Sequence, residues 1–313
     1  MTQLNALMST VALAGAAMLA FAAQAQAETI ALVTINQQAL FFNQINQGAQ
    51  KAADAAGAKL VIFNANNVPS AQNDAIENYI TQKVDGIVLV AIDVNGVKPA
   101  ITAAKQAGIP VIAVDAQIPD GDNAAFVGVD NLKAGEEIGK HTAEYVKASM
   151  GGNAKLGVIG ALNSFIQNQR LDGFKKALAA SGVKVDIVDT VDGQNVQDVA
   201  LTASENLMTA NPAMTALYAT GEPALIGAVS AVTSQGRTGD IKVFGWDLTA
   251  QAIAGIDSGW VAAVVQQDPA TEGQVAVESL LKLKKGEKVS AIINVPVTIV
   301  TKANVDQFRG MFK

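Results

Sequence analysis

The sequence predicts an α/β protein of two lobes, each built around a parallel sheet. Three observations carry this. From Glu28 onward, short runs rich in Val, Ile and other apolar residues alternate with longer segments of helical periodicity, and strands separated by helices imply parallel pairing with right-handed crossovers and helices on both faces. The alternation restarts after Gly151-Gly152, so a second series repeats the organisation of the first. The length of 313 residues leaves room for two domains of roughly 100–200 residues each.

Taken in order, residues 29–35, 59–63, 86–91, 110–114 and 124–129 read as strands of the first unit. Residues 42–56, 71–83, 96–107 and 132–147 read as its helices, with Gly108 ending the third. In the second unit the strands fall at 155–159, 183–188, 214–219, 241–244 and 260–265. The helices fall at 165–180, where Leu171, Phe174 and Leu178 recur at helical spacing, and at 195–209 and 224–233. A further helix at 274–285 has a basic last turn, favourable for its dipole, and residues 295–300 form a final strand.

Composition narrows the function. Half of the residues are hydrophobic, 16% are charged, and the net charge is −6. Without a basic stripe, nucleic acid is excluded as a partner. Cysteine is absent, which excludes disulfides, thiolate chemistry and a thiolate zinc site. Asp186, Asp189, Asp192 and Asp198 lack the spacing of a calcium loop, so no metal is expected. Neither is a cofactor: no Gly-x-Gly-x-x-Gly opens a helix. The single His141 sits mid-helix and reads as a packing or surface residue. Residues 11–23 are apolar but too short to span a membrane, and Ala25-Gln26-Ala27 has the small-x-small form of a signal-peptidase site. Export with cleavage before Glu28 is the expectation, although no Lys or Arg precedes the apolar segment.

The polar and aromatic residues collect where strands end, which in open α/β sheets is where ligands bind. Phe244-Gly245-Trp246-Asp247 is the densest such point. Gly245 is expected to end its strand and turn the chain, leaving Trp246 and Asp247 in a cleft between the lobes. A flat ring beside an acceptor-only carboxylate suits a polyhydroxylated ligand. The same stretch also fits a core Trp followed by an Asp that caps a helix.

Further motifs bring a family into view. Phe41-Phe42-Asn43-Gln44-Ile45-Asn46-Gln47-Gly48-Ala49, Gly108-Ile109-Pro110-Val111-Ile112-Ala113-Val114-Asp115, Val129-Asp130-Asn131, Arg170-Leu171-Asp172-Gly173-Phe174 and Phe244-Gly245-Trp246-Asp247 occur in this order. Together they resemble the type I periplasmic sugar-binding proteins, the ribose-binding-protein-like group that delivers ligand to ABC importers. The resemblance runs from Glu28 to about Thr301. It implies two Rossmann-like lobes joined by a three-strand hinge, with crossings near residues 129–131, 266–268 and 295–297. Residues 1–27 would be a signal peptide, 28–130 with 268–295 the N-terminal lobe, and 131–267 with 296–313 the C-terminal lobe. Phe41, Phe42 and Trp246 would stack on sugar faces, Asp115 and Asp247 would accept from hydroxyls, Arg170 would donate, and Gln267 would add a contact. The implied partners are a sugar or polyol, the membrane subunits of an importer and a chemoreceptor, with the protein itself a monomer.

This sequence departs from the group at Ala39, Ala91, Ala116 and Gly221, where larger polar side chains are usual, and at Asn195, where an aromatic is usual. Ribose itself is therefore not expected. Gln38, Asp93, Asn163, Asn195 and Glu222 are candidates for replacement contacts, and a hexose, a sugar alcohol or a furanosyl signalling molecule of the autoinducer-2 type remain open. Two other functions use the same fold or the same residue types. A glycosidase would use Asp115 and Asp247 as its paired carboxylates, but a neighbouring Arg170 favours the ionised form of both. A regulator of the lac-repressor type would carry a DNA-reading helix-turn-helix where this chain has its apolar leader.

Overall fold

Strands buried on both faces need near-continuous runs of apolar residues, and those runs place the core. The structure, a computed structural model, describes residues 27–37 and 40–312. The apolar leader expected to direct export lies outside the described residues, as do Gln38 and Ala39. No helix among the described residues is long and apolar enough to cross a membrane.

The chain begins β1 (Thr29–Thr34), α1 (Leu40–Ala56), β2 (Lys59–Asn64), α2 (Pro69–Gln82), β3 (Gly86–Leu89), α3 (Lys98–Gln106), β4 (Val111–Val114) and β5 (Ala125–Gly128). Helix α4 (Asn131–Ser149) leads into the second series: β6 (Asn153–Gly160), α5 (Phe165–Ala180), β7 (Lys184–Asp192), α6 (Gln197–Ala210), β8 (Ala216–Ala219), α7 (Glu222–Ser234), β9 (Lys242–Trp246), α8 (Ala250–Ser258) and β10 (Val261–Gln266). It ends with α9 (Pro269–Lys284), β11 (Ile292–Asn294), β12 (Thr298–Val300) and two 3-10 turns. Two six-stranded sheets result, ordered β11-β5-β4-β3-β1-β2 and β12-β10-β9-β8-β6-β7. Pairing is parallel except where β12 runs antiparallel to β10.

Side-chain alternation along each strand divides the core into four layers. Ile30 and Leu32 face α1 and α9, whereas Ala31 and Val33 face α2 and α3. In the second sheet Phe244, Trp246 and Val265 face α4 and α5, and Val243 and Val264 face α6, α7 and α8. Each fully buried Leu, Ile or Phe contributes about 1.5–3 kcal/mol relative to exposure.

The chain passes between sheets three times. After β5 it enters α4, which lies on α5 so closely that a Cβ at Gly173 would stand 2.0 Å from the Leu132 carbonyl oxygen. After β10 it returns in α9, which lies on α1; there a Cβ at Gly48 would stand 1.8 Å from the Ala270 carbonyl oxygen. Between β11 and β12 it crosses again.

Two expectations need correction. Of the final strand expected at 295–300 only Thr298–Val300 forms, as β12, since Pro296 has no N–H to donate to a ladder; β11 (Ile292–Asn294), in the other sheet, ends before it. Helix α8 fills the gap between strands where a helix is expected; Thr249 caps its start by accepting from the Ala252 N–H, and Gly259 at φ 81° ends it. Gly245 does not turn the chain. It is a strand residue paired with Val264, and a Cβ there would sit 2.5 Å from Leu225 Cδ1, so the leucine side chain would have to shift.

Candidate functional site

The turn that Gly245 was expected to make belongs to the next aspartate. Asp115, after β4, has φ 63°, and Asp247, after β9, has φ 59°. Both occupy the left-handed region that Asp tolerates better than most residues. Each N–H is held by the adjoining strand: Asp115 donates to the Val127 carbonyl at 3.0 Å and Asp247 to Val265 at 2.7 Å. Strands β4 and β9 hold the same place in their sheets. The two carboxylates are therefore matched across the cleft, one from each lobe.

Arg170 stands with them. Helix α5 buries it, and its guanidinium donates from Nε to Asn131 Oδ1 at 2.9 Å and from an Nη to the Thr220 carbonyl at 3.0 Å. Cζ lies 3.7 Å from the centroid of the Trp246 ring, an arrangement in which ring quadrupole and cation attract. Trp246 donates from Nε1 to the Tyr218 hydroxyl at 2.8 Å, and Tyr218 stacks on Phe174 with ring centroids 3.8 Å apart. Gln267 fixes Asp247 by donating from Nε2 to both carboxylate oxygens, at 2.9 and 3.1 Å. The Gln267 carbonyl accepts from Gln266, whose Oε1 accepts the Leu248 N–H.

Trp246 therefore differs from expectation. It is 0% exposed, because strand alternation puts it on the same inward side as Phe244 and Arg170 covers it. It offers the cleft no stacking face; it supports the guanidinium. Of the alternative of a core Trp followed by a capping Asp, the first half holds, since Trp246 is core, but the helix cap is Thr249 and not Asp247.

Electrostatics follow from burial. Desolvation pushes the Asp115 carboxyl up to about 6 against the pull of Arg170, and the charge of Asp247 adds to the rise. Asp247 is raised by desolvation too, with Arg170 and Gln267 opposing. Arg170 is lowered by desolvation, and the charges of Asp247, Tyr218 and Asp115 resist this. None of the guanidinium's hydrogen bonds goes to either carboxylate: it donates to Asn131 and Thr220, and Asp247 accepts from Gln267.

The other expected residues divide. Phe41 and Phe42 form an edge-to-face pair 5.4 Å apart, half-buried on the α1 side. Phe41, Glu222 and Asp247 line one cavity of about 270 Å³ between the lobes. Glu222 stands at the cavity mouth, where desolvation of its carboxyl and the charge of Asp247 raise its pKa. Asp115 lines a second cavity of about 480 Å³. Asn195 lies outside both, exposed at φ 57°, its Oδ1 accepting from Gln167 at 2.9 Å. Asp93 is exposed and accepts the Asn95 N–H, and the N–H groups of Gly96 and Asn95 hold its carboxyl low. Asn163 is exposed in the loop after β6. These three are not brought to the carboxylates. Gln38 lies outside the described residues. A larger hollow of about 590 Å³ opens at the amino end of β4, beside Pro110, Asn123 and Lys284, away from every expected site residue.

Sequence reasoning missed Glu272. This carboxyl is 0% exposed, neither oxygen has a partner, and burial raises its pKa well above the usual value, aided by the charges of Asp115, Asp247 and Asp268. An acid in a helix's first turn reads as an ordinary dipole partner, so nothing in the sequence distinguished it. The supports Asn131 and Thr220 were visible only as residues near strand ends.

Comparison with known proteins gives concordant matches. A family model described as a periplasmic binding protein domain matches residues 15–288. The ribose import binding protein of Escherichia coli (strain K12) is 31% identical over 304 residues, 96% of this chain and 99% of that protein. A solved ABC transporter periplasmic solute-binding protein from Actinobacillus succinogenes 130z, with bound D-allose, is 27% identical with a TM-score of 0.79, covering 90% of this chain and 99% of its own. A solved periplasmic ribose ABC transporter protein from Conexibacter woesei DSM 14684 is 26% identical with a TM-score of 0.82, covering 91% and 96%.

Proposed function

This chain belongs to the periplasmic binding protein family, and from that premise we propose that it captures a sugar or sugar alcohol between its two lobes and hands it to an ABC importer. It is a binding protein and not an enzyme, and its family places it in the periplasm. The observation that carries the reading is the convergence of Asp115 from one lobe with Arg170 and Asp247 from the other. A neutral polyol offers no charge to grip, and each buried hydroxyl left unpaired costs about 1–3 kcal/mol. Two acceptor-only carboxylates and one donor-only guanidinium, each held by its own supports, answer that need with charge-assisted bonds. Phe41 and Phe42 supply apolar edges, Glu222 a further acceptor, and Gln267 the orientation of Asp247.

The lobes in this reading are residues 28–130 with 268–295 and residues 131–267 with 296–313, and the segment before Glu28 is removed on export. The protein acts as a monomer, and a chemoreceptor is a second reader of its closed form. The relatives are named for sugars, so a receptor for a furanosyl signalling molecule is not favoured.

A thermal-shift screen against about a hundred sugars and polyols tests the proposal. A ligand at 100 times its dissociation constant adds about 2.7 kcal/mol of stability, a rise of several degrees in Tm. No shift with any of them at millimolar concentration would overturn it.

A further inference from the structure

A sugar presents C–H faces that rest on flat rings. Phe41 offers such a ring from α1, but on the facing lobe Trp246 is wholly buried beneath Arg170. Among the described residues, the other ring that lines the cavity of about 270 Å³ beside Asp247 is Phe312, with Met311 next to it. Both belong to the last turns of the chain, Val305–Gln307 and Arg309–Phe312. Phe165, the exposed ring near the cleft, lines the cavity of Asp115 instead.

A chain end is ordered only where something ties it down, and this end is tied repeatedly to the second lobe. The Thr301 N–H donates to Asn304 Oδ1 at 2.8 Å as the chain leaves β12. Val305 is buried in the core under α7 and α8, and Phe308 and Phe312 pack against that same core. Arg309 grips Asp257 of α8 with both Nη atoms, at 3.0 and 2.6 Å, and Asp306 with Nε at 2.7 Å. Helix α8 begins just after Asp247, so this grip fixes the Phe312 ring relative to that carboxylate.

We propose that Phe312 is a residue of the sugar site: its ring covers an apolar face of cargo whose hydroxyls bond Asp247, with Phe41 on the other side of the cleft. The inference rests on the sugar-binding reading and adds a contact to it. Phe312 and Phe41 are each only partly buried, and a ring at a cavity wall gains when cargo displaces its remaining water. Because the two rings stand on different lobes, both are covered only when the lobes meet.

The test is calorimetric titration of the parent protein and of Phe312→Tyr, Phe312→Leu and Phe312→Ala with the sugar found by thermal shift, alongside the Tm of each without ligand. Tyr keeps the flat ring, Leu keeps apolar bulk without a ring, and Ala keeps neither. Kd is expected to stay within about twofold for Tyr and to rise about tenfold for Ala. The Leu variant decides between stacking and packing: it should bind severalfold more weakly while its ligand-free Tm stays near that of the Tyr variant. Affinities equal to the parent's in all three variants, whatever their Tm, would overturn the inference while leaving sugar capture intact. A loss of affinity shared by Tyr and Leu alike would mark general damage and overturn it too. A parent protein that binds no sugar would overturn the sugar-binding reading, and this inference with it.

Discussion

Asp115 and Asp247 show how one residue type serves two needs at a strand end. Asp tolerates the left-handed turn that frees its side chain from the sheet, and its carboxylate then accepts from hydroxyls. Asp115→Asn, Asp247→Asn and Arg170→Ala should each weaken cargo binding by more than about 1.5 kcal/mol, over tenfold, by calorimetric titration. Lys284→Ala breaks only a part-exposed ion pair with Asp85, 2.9 Å long and far from the cleft, and should leave affinity unchanged. Equal affinities across all four would remove the three residues from the site. Trp246→Ala belongs to a different class. An exposed stacking Trp would lose binding with the fold intact, but complete burial beneath Arg170 predicts a lower Tm as well, since buried Trp→Ala costs about 3–5 kcal/mol. Glu272 makes a pH prediction. Unfolded, it ionises freely above its usual value of 4.5, whereas burial makes the folded chain hold the proton. Folded stability contributed by this group is complete below the usual value and lost as pH rises from there toward the raised folded pKa. Glu272→Gln should therefore melt above the parent protein at about pH 8, with the gain vanishing by about pH 4. A variant that melts lower at both pH values would contradict this.

At the scale of elements, the two helix pairs that follow the first two crossings are built alike. Helix α9 meets α1 through Gly48 and Gly273, and α4 meets α5 through Gly135 and Gly173. These glycines are needed for close approach, not for backbone freedom. Gly48→Ala would push a methyl into the Ala270 carbonyl and should destabilise the fold by about 1–3 kcal/mol, read as a Tm lower by several degrees; an unchanged Tm would mean that the helices separate without cost. The strands were legible because β-branched runs such as 86–91 end sharply at glycine and polar residues. The bounds of helix α8 were not read although Thr249 and Gly259 mark both ends, because nine residues hold little more than two turns of pattern. Strand β11 was hidden by its three-residue length. The burial of Trp246 was in principle legible, since it stands two residues from Phe244 and alternation puts both on one side. What no local pattern carries is the meeting of groups far apart in sequence: Asp115 with Asp247, and Glu272 with both.

The whole molecule joins two sheets through three connections, after β5, after β10 and between β11 and β12. Short parallel connections can bend together as a hinge while each lobe moves as a body. A ligand shifts such an equilibrium only by binding one state better. Cargo that touches Asp115 and Phe41 on one side and Arg170 and Asp247 on the other makes its full set of contacts only when the lobes are close, and an importer can then distinguish loaded from empty protein by lobe spacing. Small-angle X-ray scattering of the exported protein, without ligand and saturated with the sugar found by thermal shift, tests this most directly. The account predicts a smaller radius of gyration on binding, and an Asp247→Asn variant that needs more ligand to reach it. A radius unchanged at saturation would contradict capture between the lobes.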